Sequence, residues 1–197
     1  MSFLPDNYEP PKSQGKYLKL TQGAHRIRIL SKSITGYEVW AANQATGQDR
    51  YPFRFKELKD INVKPSKPGD QPKHFWAMKI WNYDTEQIQI AQFTQKTIQS
   101  LILDFYNNTD YGDPKGYDIT ITRKGEGKDN TTYTAVPSPP KELSEEVKQA
   151  NENTLISLEA LYDGGDPFEA TESVGSTEEK TDSKENLSPE EMIDILS

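Results

Sequence analysis

The chain has no cysteine, two histidines and no run of about 18 apolar residues. Without cysteine there is no disulfide framework, no thiolate-bound zinc or iron–sulfur cluster and no thiol nucleophile. His25 and His74 each sit in a strand-like pattern with no third ligand type at metal spacing, so both read as packed or surface side chains and no metal is expected. The first residues, MSFLPDNYEPPKSQGKY, have neither a basic start nor an apolar stretch of signal-peptide length. A soluble, cytoplasmic protein is the expectation. Catalytic motifs are equally scarce. KGEGKD has Thr122 where a phosphate-binding loop needs its first glycine and Asp129 where magnesium needs Ser or Thr, so it reads as a hairpin turn. Asp110, Asp113 and Asp118 depart from calcium-loop spacing and read as turn acids around Gly112 and Gly116. The chain is expected to be non-enzymatic and to need no cofactor.

What is present is unevenly distributed. Residues 1–140 hold 19 Lys and Arg against 15 Asp and Glu, whereas residues 141–197 hold 4 against 16, so the net charge of −8 belongs to the C-terminal part. Of the 20 aromatic residues, 18 lie before Pro140. Four regions follow: an extended, proline-rich arm (1–16), a folded domain (17–140), a short helical extension (141–163) and an acidic tail (164–197) too poor in apolar residues to order itself.

Within the domain, AHRIRIL alternates Ile27 and Ile29 with Arg26 and Arg28, the period of a half-buried strand. Ile34–Ala41 reads as a second strand, and Tyr51–Phe55 as a short edge strand because Pro52 cannot donate to a ladder. Lys64, Lys67 and Lys73 with Pro65, Pro68 and Pro72 form a basic loop. HFWAMKIWNY and QIQIAQF make a hairpin, Thr94 is an N-cap for a helix carrying Ile98, Leu101, Ile102 and Phe105 on one face and ending near Asn107, and GYDITIT with TTYTAVP makes a second hairpin. Strands with a single helix before the last hairpin predict an all-β domain. About five principal strands suit a Greek-key barrel of the OB type, with an SH3-like barrel or a small sandwich as alternatives. In the extension, Leu155, Leu158, Leu161 and Tyr162 form an apolar stripe expected to dock on the barrel.

On the HFWAMKIWNY strand, Trp76, Met78 and Ile80 make one face and Phe75, Lys79, Trp81 and Tyr83 the other. Taking the first as core leaves aromatic and basic side chains interleaved outside, the combination that single-stranded nucleic acid needs for base stacking and phosphate neutralisation. Arg26, Arg28, Trp40, Arg54, Lys73, Arg123, Lys124 and Lys128 extend that surface. The alternative is that the strand is inverted and Phe75 or Trp81 is core. At the far end, LSPEEMIDILS offers Ser188 as a cap, Pro189 at N1 and an apolar cluster of Met192, Ile193, Ile195 and Leu196 around Asp194, read as a partner-binding tip.

MSFLPDNYEPP, KHFWAMKIWNYDTEQIQIAQFTQKTIQSLI and GYDITITRKGEGKDNTTYTAVPSPP together resemble phage single-stranded DNA-binding proteins of replication and recombination, over most of residues 1–140. The resemblance implies an OB-fold core that coats single strands without sequence preference, and an acidic C-terminus that recruits replisome partners. The chain departs from the T-even helix-destabilising proteins in lacking the Cys and His of their structural zinc. The competing expectation is an acidic interaction module that binds protein or oligosaccharide through the same aromatics. An annealing or recombination mediator would share the DNA surface and differ in partners.

Overall fold

The computed structural model describes residues 15–127 and 130–169. Among them are seven strands: β1 (Gly23–Ile29), β2 (Ile34–Asn43), β3 (Gln48–Phe55), β4 (Lys73–Asn82), β5 (Gln87–Phe93), β6 (Asp118–Lys124) and β7 (Thr132–Pro137). Helix α1 (Lys96–Asn107) lies between β5 and β6, and α2 (Glu145–Asn153) follows the sheet. The strands form one open antiparallel sheet ordered β3-β2-β4-β1-β6-β7, with β5 on the remaining edge of β4. The domain is mostly β, as expected, but has seven strands where about five were expected. The N-terminal segments are full-length strands, and β3 has β2 as its one neighbour, as Pro52 requires of an edge.

β1 and β2 are two halves of one long strand. Both pair with the β4 edge opposite β5, Ile29 facing Ile80 and Ile34 facing Ala77, so residues 30–33 bulge opposite Met78 and Lys79. Backbone groups at the bulge stay satisfied: Leu30 N–H donates to the Lys79 carbonyl at 2.9 Å and Lys79 N–H to Ser31 Oγ at 3.0 Å. Gly36 is required just beyond, because a side chain there would meet the Phe55 carbonyl and the Phe75 ring.

One side of the sheet buries Ile27, Ile29, Met78, Ile80, Ala91, Phe93, Ile119 and Ile121 beneath Ile98 and Ile102 of α1, the side assigned to the core by Trp76, Met78 and Ile80. Buried Gln99 fixes the helix by donating to the carbonyls of Phe93 (2.8 Å) and His74 (3.2 Å). The N-cap is Gln95, one residue after the expected Thr94, because Gln95 itself keeps extended backbone angles. The helix ends at Asn107 as read.

Residues 141–169 lie across the other side. Ser144 Oγ accepts from Val147 N–H to start α2, with Glu145 and Glu146 in the favourable first turn. A single 3-10 turn, Leu158–Leu161, then brings the apolar stripe down. Leu161 is buried with Phe75, Ala77 and Ile90, and Ile156, Leu158, Tyr162 and Phe168 pack around them. The stripe docks as expected except for Leu155, which is exposed. Order continues past the expected boundary at residue 163. Pro167 accepts from Ser157 N–H at 2.9 Å, Phe168 packs on the cluster, and Asp166 pairs with Lys16 at 2.5 Å.

Candidate nucleic-acid interface

The β4 side chains read as an exposed surface fall into three environments. Phe75 has no solvent exposure and Trp81 only 4%. Both are therefore buried, a correction to the surface expectation: the 141–169 segment covers Phe75 through Leu161, and Trp81 lies beside Arg28 of β1 and the Tyr83 ring. Lys79 is half-buried; its ammonium donates to the carbonyls of Asn151 (2.7 Å) and Thr154 (2.5 Å) at the C-terminus of α2, where the helix dipole favours a cation. Burial holds its pKa below the ordinary lysine value. Tyr83, just past the strand, keeps part of its ring at the surface beside Trp81, with the two rings edge to face at 6.5 Å.

Tyr83 belongs to a charged cluster built by strand register. Arg28 lies between Trp81 on β4 and Asp118 on β6, which places all three on one side of the sheet. Asp118, fully buried, accepts from Arg28 Nε (2.6 Å), Arg26 Nε (2.9 Å) and Tyr83 Oη (3.1 Å), and pairs with Lys141 Nζ at 3.1 Å. Burial pushes the Asp118 pKa up, yet the hydrogen bonds from Arg26, Lys141 and Arg28 outweigh it and hold the carboxyl below its usual range. Burial also raises the Tyr83 phenol, and the Asp118 charge adds to the rise. Arg28, 1% exposed, is interior rather than surface as expected. It also donates to the carbonyls of Lys141 (3.1 Å) and Lys115 (3.4 Å), leaving Nη2 as a buried donor without an acceptor among the described residues. Arg26 and Lys141, each with nearly half its side chain exposed, face the Tyr83 ring at 4.4 and 5.9 Å. The cluster carries three cations against one carboxylate.

The remaining residues do not join this cluster. Trp40 donates from Nε1 to Glu38 at 2.9 Å and lies under the Arg50 guanidinium at 5.2 Å. Arg54, only 12% exposed, bonds Gln92 at 2.9 Å and sits 3.4 Å from buried Glu38. Arg123 donates to the Leu20 carbonyl, while Lys73 and Lys124 are exposed. Lys128 and the tip residues Met192, Ile193, Asp194, Ile195 and Leu196 lie outside the described residues. Gly125 opens the β6–β7 turn with φ +84°, and a side chain there would strike the Asn130 carbonyl. His25 is buried against Asp84 at 2.9 Å, and His74 meets Tyr37 edge to face at 5.4 Å.

Sequence reasoning missed Asp118, Lys141, Arg50 and Glu38. Asp118 reads as a turn acid in the sequence, but it opens β6 and faces the arginine side of β1. Its alternation with Thr120 and Thr122 was the available signal. Among known proteins, no family model, no curated sequence and no solved structure matches the chain.

Proposed function

We propose that this chain is a non-enzymatic protein that coats single-stranded DNA without sequence preference, in phage replication or recombination within the infected cell, and that its sheet is an elaborated OB-type barrel. The observation that carries the reading is the partly exposed Tyr83 ring faced by Arg26 and Lys141. A planar side chain flanked by cations is what a stacked base and its phosphate require. The OB assignment draws support from the long bulged β1–β2 strand, which pairs along both edges, and from a helix placed between β5 and the last hairpin. Neither stacking nor counterion release calls for a metal or cofactor. In this reading the acidic C-terminal residues recruit replication proteins.

The test is anisotropy of a labelled oligo(dT) titrated with the full chain at several salt concentrations. Binding is expected with a log–log salt slope of about −0.7 per neutralised phosphate. Tyr83→Ala should weaken it by roughly 1–3 kcal/mol. Absence of binding at low salt, or binding indifferent to salt, overturns the proposal. A protein-interaction module is the second reading, favoured by one observation: the Phe75 side of β4 already holds an apolar peptide segment, that of Leu161. Binding of that kind would be nearly insensitive to salt.

A further inference from the structure

The apolar cluster at residues 192–196 lies outside the described residues, and the core side of the sheet has an apolar groove that no described residue fills. The groove opens where the β1–β2 bulge leaves β4 uncovered. Trp76, Met78 and Ile102 form its floor, and Leu103 and Tyr106 on α1 its wall, enclosing about 380 Å³. Leu103 and Tyr106 are 46% and 57% exposed, the largest apolar exposure on α1. Two lysines stand at the rim. Lys32 is exposed and has no ion pair among the described residues, whereas Lys115 shares Asp113 at 3.2 Å. Because Trp76 and Met78 point away from Phe75 and Ala77, this groove lies on the opposite side of β4 from the 141–169 segment and the Leu161 cluster.

We propose that this groove is the docking site of the chain's own residues 189–196, bound as a short amphipathic helix. Met192, Ile195 and Leu196 fall at i, i+3 and i+4, one stripe of a helix and the spacing that fills an apolar groove. Glu191 borders that stripe, matching lysines that border the groove, while Asp194 falls on the opposite, solvent-facing side of such a helix. Ser188 and Pro189 supply the N-terminal signals such a helix needs. Reach is no constraint: the 23 residues from Glu169 to Met192 span at most roughly 80 Å, against a radius of gyration of about 15 Å for a fold of this size. Tethering raises the effective concentration of the segment at its own groove above that of any other copy.

The chain's lack of cysteine makes the test direct. A nitroxide on Ser197→Cys in the full-length protein is expected to broaden the Trp76 indole and the Leu103 and Tyr106 amide signals against the reduced label, equally after tenfold dilution. Leu103→Glu with Tyr106→Ser, both at exposed positions, should abolish the broadening without changing the melting temperature. Ile195→Asp with Leu196→Asp should abolish it from the other side. Broadening centred instead on Arg26 and Lys141, broadening that disappears on dilution and so belongs to a second copy, persistence in either double variant, or no localised broadening at all each overturns the assignment.

Discussion

An aspartate with no solvent exposure that accepts from Arg26, Arg28 and Tyr83 and pairs with Lys141 must stay ionised for those donors to remain satisfied. Removing its charge leaves the Arg28 guanidinium buried and unbalanced. Asp118→Asn should therefore cost about 3–5 kcal/mol in urea unfolding at neutral pH. The pH dependence has a fixed sign. The folded carboxyl titrates below its unfolded value of about 3.9, so the unfolded state binds the extra proton first. This contribution is complete above that value and is lost as pH falls through the lower folded value; the variant should lack that acid-side loss. Trp81 makes a second point at the same scale. At 4% exposure its truncation to Ala should cost about 3–5 kcal/mol of stability, which a thermal melt reads directly. Had Trp81 formed the stacking surface expected from the sequence, the same substitution would have left melting unchanged.

β4 shows where local reading stops. Its two-residue period separated Trp76, Met78 and Ile80 from Phe75, Lys79, Trp81 and Tyr83 correctly, and the first set does face the α1 core. Which side water reaches is not a property of the strand, however, and the strand alone leaves the second side reading as open. Over Phe75 its cover comes from Leu158, Leu161 and Tyr162, about eighty residues away, whose stripe is legible and whose docking is expected. The two halves were not joined because each pattern states only that it needs an apolar partner. The Asp118 cluster was illegible for a related reason: a buried charge is defined by the cations of other strands, not by its neighbours in sequence. Lys79 offers a test of how the cover is held. Lys79→Met removes the cation from the α2 C-terminus, a loss of about 0.3–1 kcal/mol by dipole effects. Hydrogen exchange should accelerate at the Ser157, Ala160 and Tyr162 amides, whose acceptors lie within the segment, while β1 and β6 amides stay protected. Leu161→Ala, which empties a buried site, should open the same segment further. Equal acceleration across the whole sheet would show that segment and sheet unfold as one unit.

At the scale of the whole chain, the uneven charge sets how DNA would be received. Residues 170–197 contain eight acids and two lysines, so a chain ending at Glu169 would carry −2 in place of −8. Acids tethered to the domain that bears Arg26 and Lys141 oppose incoming phosphates, and the opposition is set by screening: the Debye length is about 30 Å at 0.01 M salt and about 10 Å at 0.1 M. Ending the chain at Glu169 should therefore tighten oligo(dT) binding at low salt, with the gain shrinking as salt rises. The fold should be unchanged, because every contact that holds the described residues together lies at or before Glu169. Ending it six residues earlier, at Asp163, removes a similar excess of acid but also takes away Pro167, Phe168 and the Asp166 partner of Lys16. That chain should melt earlier and lose the protection of Ser157. If both truncations bind and melt alike, residues 164–169 contribute nothing to the second layer. If the chain ending at Glu169 binds DNA no better than the full chain at any salt, the acids beyond it do not compete for the surface around Tyr83.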